Sequence, residues 1–163
     1  MTIKAIAMDV DGVLTDGTVM MHTDGSETKG FNIRDGAAMV WAQRVGLTIG
    51  LLSARSSGAT TQRAAQLAIR LVVQGVSSKL EAYTRILRDT GVPESAVAYM
   101  GDDLIDLPVL ARAGLSAAPA DAADGADPAG SARHPGPLTP TVAQRPVRRR
   151  HACSRLGRPV GVE

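Results

Sequence analysis

Apolar residues in this chain fall in short runs, each bounded by charge or by turn residues. Ile3–Met8, Leu47–Leu52, Leu71–Val73, Val97–Met100 and Leu115–Ala117 are nearly all apolar and too short for helices, so they predict strands buried on both faces. The segments between them carry helical signals. Asp35 predicts the cap of a helix that runs to Arg44 and stops at Gly46. The Ala-, Gln- and Arg-rich stretch from Ser56 to about Leu67 predicts a second helix. Ser78 and Glu81 have capping-box spacing ahead of a third, which ends at Gly91-Val92-Pro93, and Leu104–Ala113 predicts a fourth. Before the first helix, Thr18–Met21 and Glu27–Asn32 flank Thr23-Asp24-Gly25-Ser26, the pattern of a β-hairpin with Gly in its turn. Alternating strands and helices predict an α/β fold, a parallel sheet covered by helices, with its ligand site beyond the carboxyl ends of the strands.

From about Gly125 the pattern stops. Residues 125–163 hold six of the nine prolines and no Ile, Phe, Tyr, Trp or Met, so the chain divides into a domain at 1–124 and a poorly ordered tail at 125–163. Charge divides at the same place: residues 1–124 carry a net −3 and residues 125–163 a net +5. The basic pI of about 9.0 therefore belongs to the tail and gives no reason to expect a nucleic-acid partner for the domain. Aromatics are limited to Phe31, Trp41, Tyr83 and Tyr99, which leaves the core to aliphatic residues and predicts a core position for Trp41. Cys153 is the sole cysteine, so no internal disulfide forms. The apolar run broken by Asp9 is too short for a signal peptide or a membrane span, and the expected location is the cytoplasm.

Polar residues with chemistry collect at one edge. Asp9-Val10-Asp11 follows the first strand, Ser53-Ala54-Arg55 the second and Gly101-Asp102-Asp103 the fourth, while Lys79 opens a helix. Two carboxylates as close as Asp9 and Asp11 resist joint ionisation without a cation or a shared proton, and Mg²⁺ suits oxygen ligands of this kind. Ser53 and Lys79 offer donors to phosphate oxygens. Acids, a hard cation, a hydroxyl and an ammonium together suit phosphoryl transfer. Each residue alone has a plainer reading: a turn for Asp-x-Asp, a helix start for Lys79, a cap for Ser53, a dipole contact for Asp106. An EF-hand is excluded, since counting from Asp9 places Leu14 where Gly is required and Met20 where Glu is required. His22, His134 and His151 have no ligand spacing.

The joint pattern is more specific. Asp9-Val10-Asp11-Gly12-Val13-Leu14-Thr15-Asp16-Gly17 resembles the first motif of the haloacid dehalogenase (HAD) superfamily, Ser53 the second, Lys79 the third and Gly101-Asp102-Asp103-Leu104-Ile105-Asp106 the fourth. Phe31-Asn32-Ile33-Arg34-Asp35-Gly36, Gln74-Gly75-Val76 and Leu107-Pro108 extend the resemblance, over roughly residues 3–122, to the small capless group that contains 3-deoxy-D-manno-octulosonate 8-phosphate (KDO 8-phosphate) phosphatase. That resemblance implies a three-layer Rossmann-like fold with a hairpin insertion and no cap domain. It implies a magnesium-dependent phosphomonoesterase that serves lipopolysaccharide synthesis as a homotetramer, with hairpins forming a barrel. Asp9 would be the nucleophile and Asp11 the acid and base. Asp9, the Asp11 carbonyl and Asp102 would hold Mg²⁺, while Ser53 and Lys79 would hold the phosphoryl group. Asn32, Ile33, Arg34, Asp35, Gly36, Arg55 and Arg63, with Asp11 and Lys79, would bind substrate.

Ser53 stands where that group often has Thr, and Val40 replaces a polar residue found in some members. The larger departure follows Ala122, where the group continues with a strand, a Gly-rich segment and a helix. The abrupt shift in composition leads us to expect a reading-frame change near residues 122–135. Competing functions are a phosphatase for a nine-carbon ulosonic acid 9-phosphate, a signalling receiver and a non-catalytic accessory domain. A receiver lacks an acid two residues beyond its acceptor Asp.

Overall fold

The apolar runs become the inner strands of the computed structural model, which describes residues 2–123 and the backbone of 132–133. In chain order the elements are β1 (Ala5–Met8), β2 (Met20–Met21), β3 (Glu27–Thr28), α1 (Ile33–Arg44), β4 (Thr48–Leu52), α2 (Gly58–Gln66), β5 (Leu71–Val73), α3 (Lys79–Thr90), β6 (Val97–Met100), α4 (Leu107–Leu110), β7 (Leu115–Ala118) and β8 (Ala132–Arg133). The main sheet runs β5-β4-β1-β6-β7-β8, and all its pairs are parallel. β2 and β3 form a separate antiparallel hairpin. β8 pairs Ala132 and Arg133 with Ala117 and Ala118, so the sheet gains an edge strand where the sequence carries no strand pattern. The rest of the expected tail, 125–131 and 134–163, lies outside the described residues, as does most of the stretch expected to hold the frame change.

Alternation along each strand separates two cores. Ala5 and Ala7 of β1, Leu52 of β4 and Val97 and Tyr99 of β6 pack with Tyr83 and Ile86 of α3 and Val109 and Leu110 of α4. Met8, Ile49, Leu51 and Met100 face the other way, toward Met39 of α1 and Ala64 of α2. Helices cover both faces, as an all-parallel sheet requires. This is the three-layer α/β fold expected, with a hairpin in place of a cap among the described residues.

Several boundaries differ from the sequence reading for local reasons. Asn32, not Asp35, caps α1: its extended backbone lets Oδ1 accept from the Arg34 amide at 2.8 Å, and Asp35 lies buried in the first turn. Ser57 caps α2 in the same way, accepting from the Thr60 amide at 3.2 Å. Ser78 caps α3 as expected, and Gly91 ends it with φ +67°, the left-handed conformation that glycine adopts without strain. The fourth helix is broken into a 3₁₀ turn, Leu104–Asp106, and the short α4. Asp103 and Asp106 cap that turn reciprocally, and Pro108 has no N–H to continue an α-helical ladder from Leu104. Trp41 is 63% exposed rather than core. It sits two residues from the buried Met39, a step of about 200° around an α-helix, so it points away from the sheet.

Candidate active site

Strand register brings the chemistry together. Met8 pairs with both Leu51 and Met100, so Asp9 emerges beside the ends of β4 and β6, and its amide donates to the Met100 carbonyl at 2.9 Å. Ser53, buried at the end of β4, donates its amide to the Val73 carbonyl and accepts the Arg55 amide on Oγ at 3.2 Å. An open cleft of about 340 Å³ lies over this edge, lined by Asp9, Asp11, Gly12, Gly17, Ser53, Ala54, Arg55, Asp102, Asp103 and Ile105. A larger cleft of about 930 Å³ adjoins it between the hairpin and α2, and Arg55 lines both.

Beneath the cleft floor runs a buried charge cluster. Lys79, at the first turn of α3, places Nζ 2.7 Å from Asp9 Oδ2 and 2.7 Å from Asp106 Oδ1. Tyr99 donates its hydroxyl to Asp106 Oδ1 at 2.6 Å, and the Asp103 amide donates to Asp106 Oδ2 at 3.3 Å. Val10 donates its amide to Asp9 Oδ1 at 2.7 Å. Burial pushes Asp9 up to about 6; Lys79 opposes this and Asp106 adds to it. Burial, reinforced by Asp9 and Asp106, pushes Asp102 up to about 7. Burial works against the charged form of Lys79, but Asp9 and Asp106 outweigh it and hold the ammonium above its ordinary value.

The donor set fits a hard divalent cation. Oxygens of Asp9, Asp102 and Asp106 lie within 4.8 Å of one another, and Asp102 Oδ1 is buried without a hydrogen-bond partner. Asp106 is already committed to Lys79 and Tyr99, which leaves Asp9 and Asp102 as the side-chain ligands on offer. Gly12, at φ +81°, makes the arrangement possible: a Cβ there would overlap the Asp102 carboxylate.

The structure thus gathers Asp9, Asp11, Ser53, Arg55 and Asp102 around one cleft and sets Lys79 under Asp9. Asn32, Ile33, Arg34, Asp35, Gly36 and Arg63 form a neighbouring group that lines neither cleft. There Arg63 donates to the Asn32 carbonyl at 3.1 Å and packs over the Phe31 ring and against Gly36. Ile33 and Arg34 are exposed. Three residues enter the site without having been singled out for it. Asp106 is fully buried as the counter-ion of Lys79. Lys29, just after β3, is buried with Nζ 2.7 Å from Asp11 Oδ1 and 2.9 Å from Oδ2. Glu27 pairs with Arg55 at 3.1 Å and accepts the Ser57 hydroxyl, which holds its carboxyl below the usual range. The only sequence signal for the last two is their i, i+2 spacing on a strand, which puts both on one side.

The chain is similar to known proteins in sequence and in fold. Escherichia coli (strain K12) has a 3-deoxy-D-manno-octulosonate 8-phosphate phosphatase that is 41% identical over 120 residues, covering 74% of this chain and 64% of that protein. The chain thus spans just under two thirds of the length of the curated relatives it matches. The crystal structure of 3-deoxy-D-manno-octulosonate 8-phosphate phosphatase from Moraxella catarrhalis, in complex with magnesium ion, phosphate ion and KDO, superposes with a TM-score of 0.76 at 34% identity, over 80% of this chain and 75% of that one. The cobalt-bound enzyme from Haemophilus influenzae gives 0.73 at 37% identity, over 76% and 72%. Among the described residues no helix is long and apolar enough to cross a membrane. A family model of haloacid dehalogenase-like hydrolases matches residues 41–131, more than half of the chain. With its strand-end acids, hydroxyl and lysine placed around one cleft, the chain belongs to the haloacid dehalogenase-like hydrolases.

Proposed function

We propose that the protein is a Mg²⁺-dependent phosphomonoesterase that releases phosphate from KDO 8-phosphate. The observation that carries this reading is the pair Asp9 and Asp102: a buried and a half-buried carboxylate, both pushed toward neutrality, meet at a cleft where Asp102 Oδ1 has no partner. Mg²⁺ bound by Asp9, Asp102 and the Asp11 carbonyl would keep both acids ionised and draw charge from the phosphoryl oxygens. An Asp9 carboxylate oxygen forms a bond to phosphorus as the bond from phosphorus to the sugar oxygen breaks. Asp11 delivers its proton to that oxygen. Water then attacks the aspartyl-phosphate, gives a proton to Asp11 and frees phosphate and Asp9. Ser53 donates to the transferring group, and Lys79 neutralises the cluster behind it.

Arg55 supports the substrate class. It lines both clefts, so a phosphate in the smaller one leaves the body of a sugar acid in the larger, within reach of a guanidinium. The names of the relatives point to the same ester. Asn32 to Gly36 and Arg63 belong to the substrate set by resemblance. The homotetramer is part of this reading by resemblance, and exposed Met20 and Met21 on the hairpin suit burial between copies. The lone Cys153 suits a reducing compartment, and we place the reaction in the cytoplasm.

The test is phosphate release from KDO 8-phosphate with Mg²⁺. Asp9→Asn should lower kcat by at least about 10³-fold and chelation should stop turnover. Release that survives Asp9→Asn in folded protein would remove the nucleophile assignment, and a preference for another phosphate ester would remove the substrate.

A further inference from the structure

Asp11 is gripped from outside the sheet. Both of its carboxylate oxygens lie within 2.9 Å of Lys29 Nζ, and the Lys29 side chain is fully buried while that of Asp11 keeps 20% of its surface toward the cleft. Arg55 adds a looser contact, Nε to Asp11 Oδ2 at 3.8 Å. An ammonium is buried at this depth only against a compensating charge, and Asp11 supplies it. The lysine stands next to β3, two residues beyond Glu27, which ties the same strand to Arg55 and Ser57. The hairpin is therefore fastened to the active-site edge through polar contacts.

We propose that Lys29 is a positioning residue for the reaction: it holds the Asp11 carboxyl in one orientation at the cleft, toward the leaving oxygen. This rests on the acid and base role proposed for Asp11. One proton passes from Asp11 to the departing oxygen, and one returns from water. A carboxyl free to rotate would miss both positions, and misplacement of about 1 Å can cost about 100-fold in rate.

The consequence depends on the leaving group. A sugar alkoxide needs the proton, whereas nitrophenolate leaves without one. We expect Lys29→Met, with Mg²⁺ present, to lower kcat/KM, which covers the steps through departure of the leaving group, by about 30- to 100-fold on KDO 8-phosphate and by no more than about threefold on p-nitrophenyl phosphate. Lys29→Arg, which restores a cation, should recover most of the loss on the sugar ester. It also serves if Lys29→Met fails to fold. Asp11→Asn run alongside should show the same selective loss. If it does not, the acid and base reading of Asp11 falls and the role of Lys29 falls with it. If Asp11→Asn is selective but Lys29→Met slows both esters equally, Lys29 is structural. A rise in KM at unchanged kcat would instead make Lys29 a substrate contact. Either result overturns the proposal.

Discussion

Asp9 and Asp11 stand two residues apart, yet two very different regions of the molecule hold them. Asp9 rests on the buried cluster of Lys79, Asp106 and Tyr99, drawn from α3, β6 and the turn after it, all within the packed sheet. Asp11 is held by Lys29, reached through a hairpin of only two residue pairs. Charges in the first region are locked by mutual neutralisation, and breaking one partner exposes the rest to an apolar surround. In the second, Lys29 and Asp11 form one largely buried pair, while Glu27 and Arg55 meet partly in water, so only the latter contact contributes little to stability. The nucleophile thus shares its support with the fold, and the proposed acid is served by an appendage.

The sharpest way to break this distinction is at Asp106. Asp106→Ala removes an acceptor from Tyr99 and one of two carboxylates from Lys79, in a fully buried place. Loss of a buried partner of this kind costs about 3–5 kcal/mol, so urea unfolding in EDTA should show destabilisation of about 3 kcal/mol. Asp106→Asn, which fills the space and keeps an acceptor for one of Tyr99 and the Asp103 amide, should lose less. A loss below about 1 kcal/mol for the alanine variant would mean that the cluster does not carry the fold in the way its burial indicates.

Much of the first region is legible in the sequence and little of the second is. Asp9, Asp11, Ser53 and Asp102 follow apolar strands, and in a parallel sheet such positions must converge on one edge. Lys79 follows a capping serine. Asp106 is harder, because its partner is 27 residues away and the residue also fits a helix start. Lys29 and Glu27 lie in a segment whose alternation reads as a solvated hairpin. Their inward contacts, across 18 residues to Asp11 and 30 to Ser57, exist only once the hairpin is folded against α2. Trp41 fails for the opposite reason: its size argues for burial, but its angle on α1 is set by Asp35, Gly36 and Met39. Asp35 itself has a capping side chain, but Asn32 stands at the helix start.

A smaller effect should follow pH and metal together. Without metal, folded Asp9 and Asp102 hold protons up to about 6 and about 7, against an ordinary value of 3.8. Over that window the folded chain binds more protons than the unfolded one. Their contribution to stability is therefore fully present below 3.8 and is lost as pH rises toward 7. A bound cation replaces those protons, so stabilisation by Mg²⁺ must grow across the same window. Thermal melts in EDTA and in saturating Mg²⁺ should show a gain in Tm larger by about 4 °C at neutral pH than in mild acid. An equal gain at both would place the cation away from these two carboxylates.

The least disruptive change separates the two contacts made by the hairpin itself. Glu27 holds Arg55 and Ser57, while Lys29 holds Asp11. The Arg55 side chain is 53% exposed, so its pair with Glu27 is worth less than about 1 kcal/mol, and Glu27→Gln should shift Tm by no more than about 2 °C. Ser57 keeps its cap on the Thr60 amide, so α2 should stay intact. Arg55, freed from its carboxylate, would wander from the boundary between the clefts. The expected result on KDO 8-phosphate is a rise in KM of about threefold with kcat nearly unchanged, the mark of lost uniform binding. Lys29→Met should do the reverse. If Glu27→Gln also lowers kcat on the sugar ester, the two residues act as one brace, and the strand rather than Lys29 alone sets the geometry of Asp11.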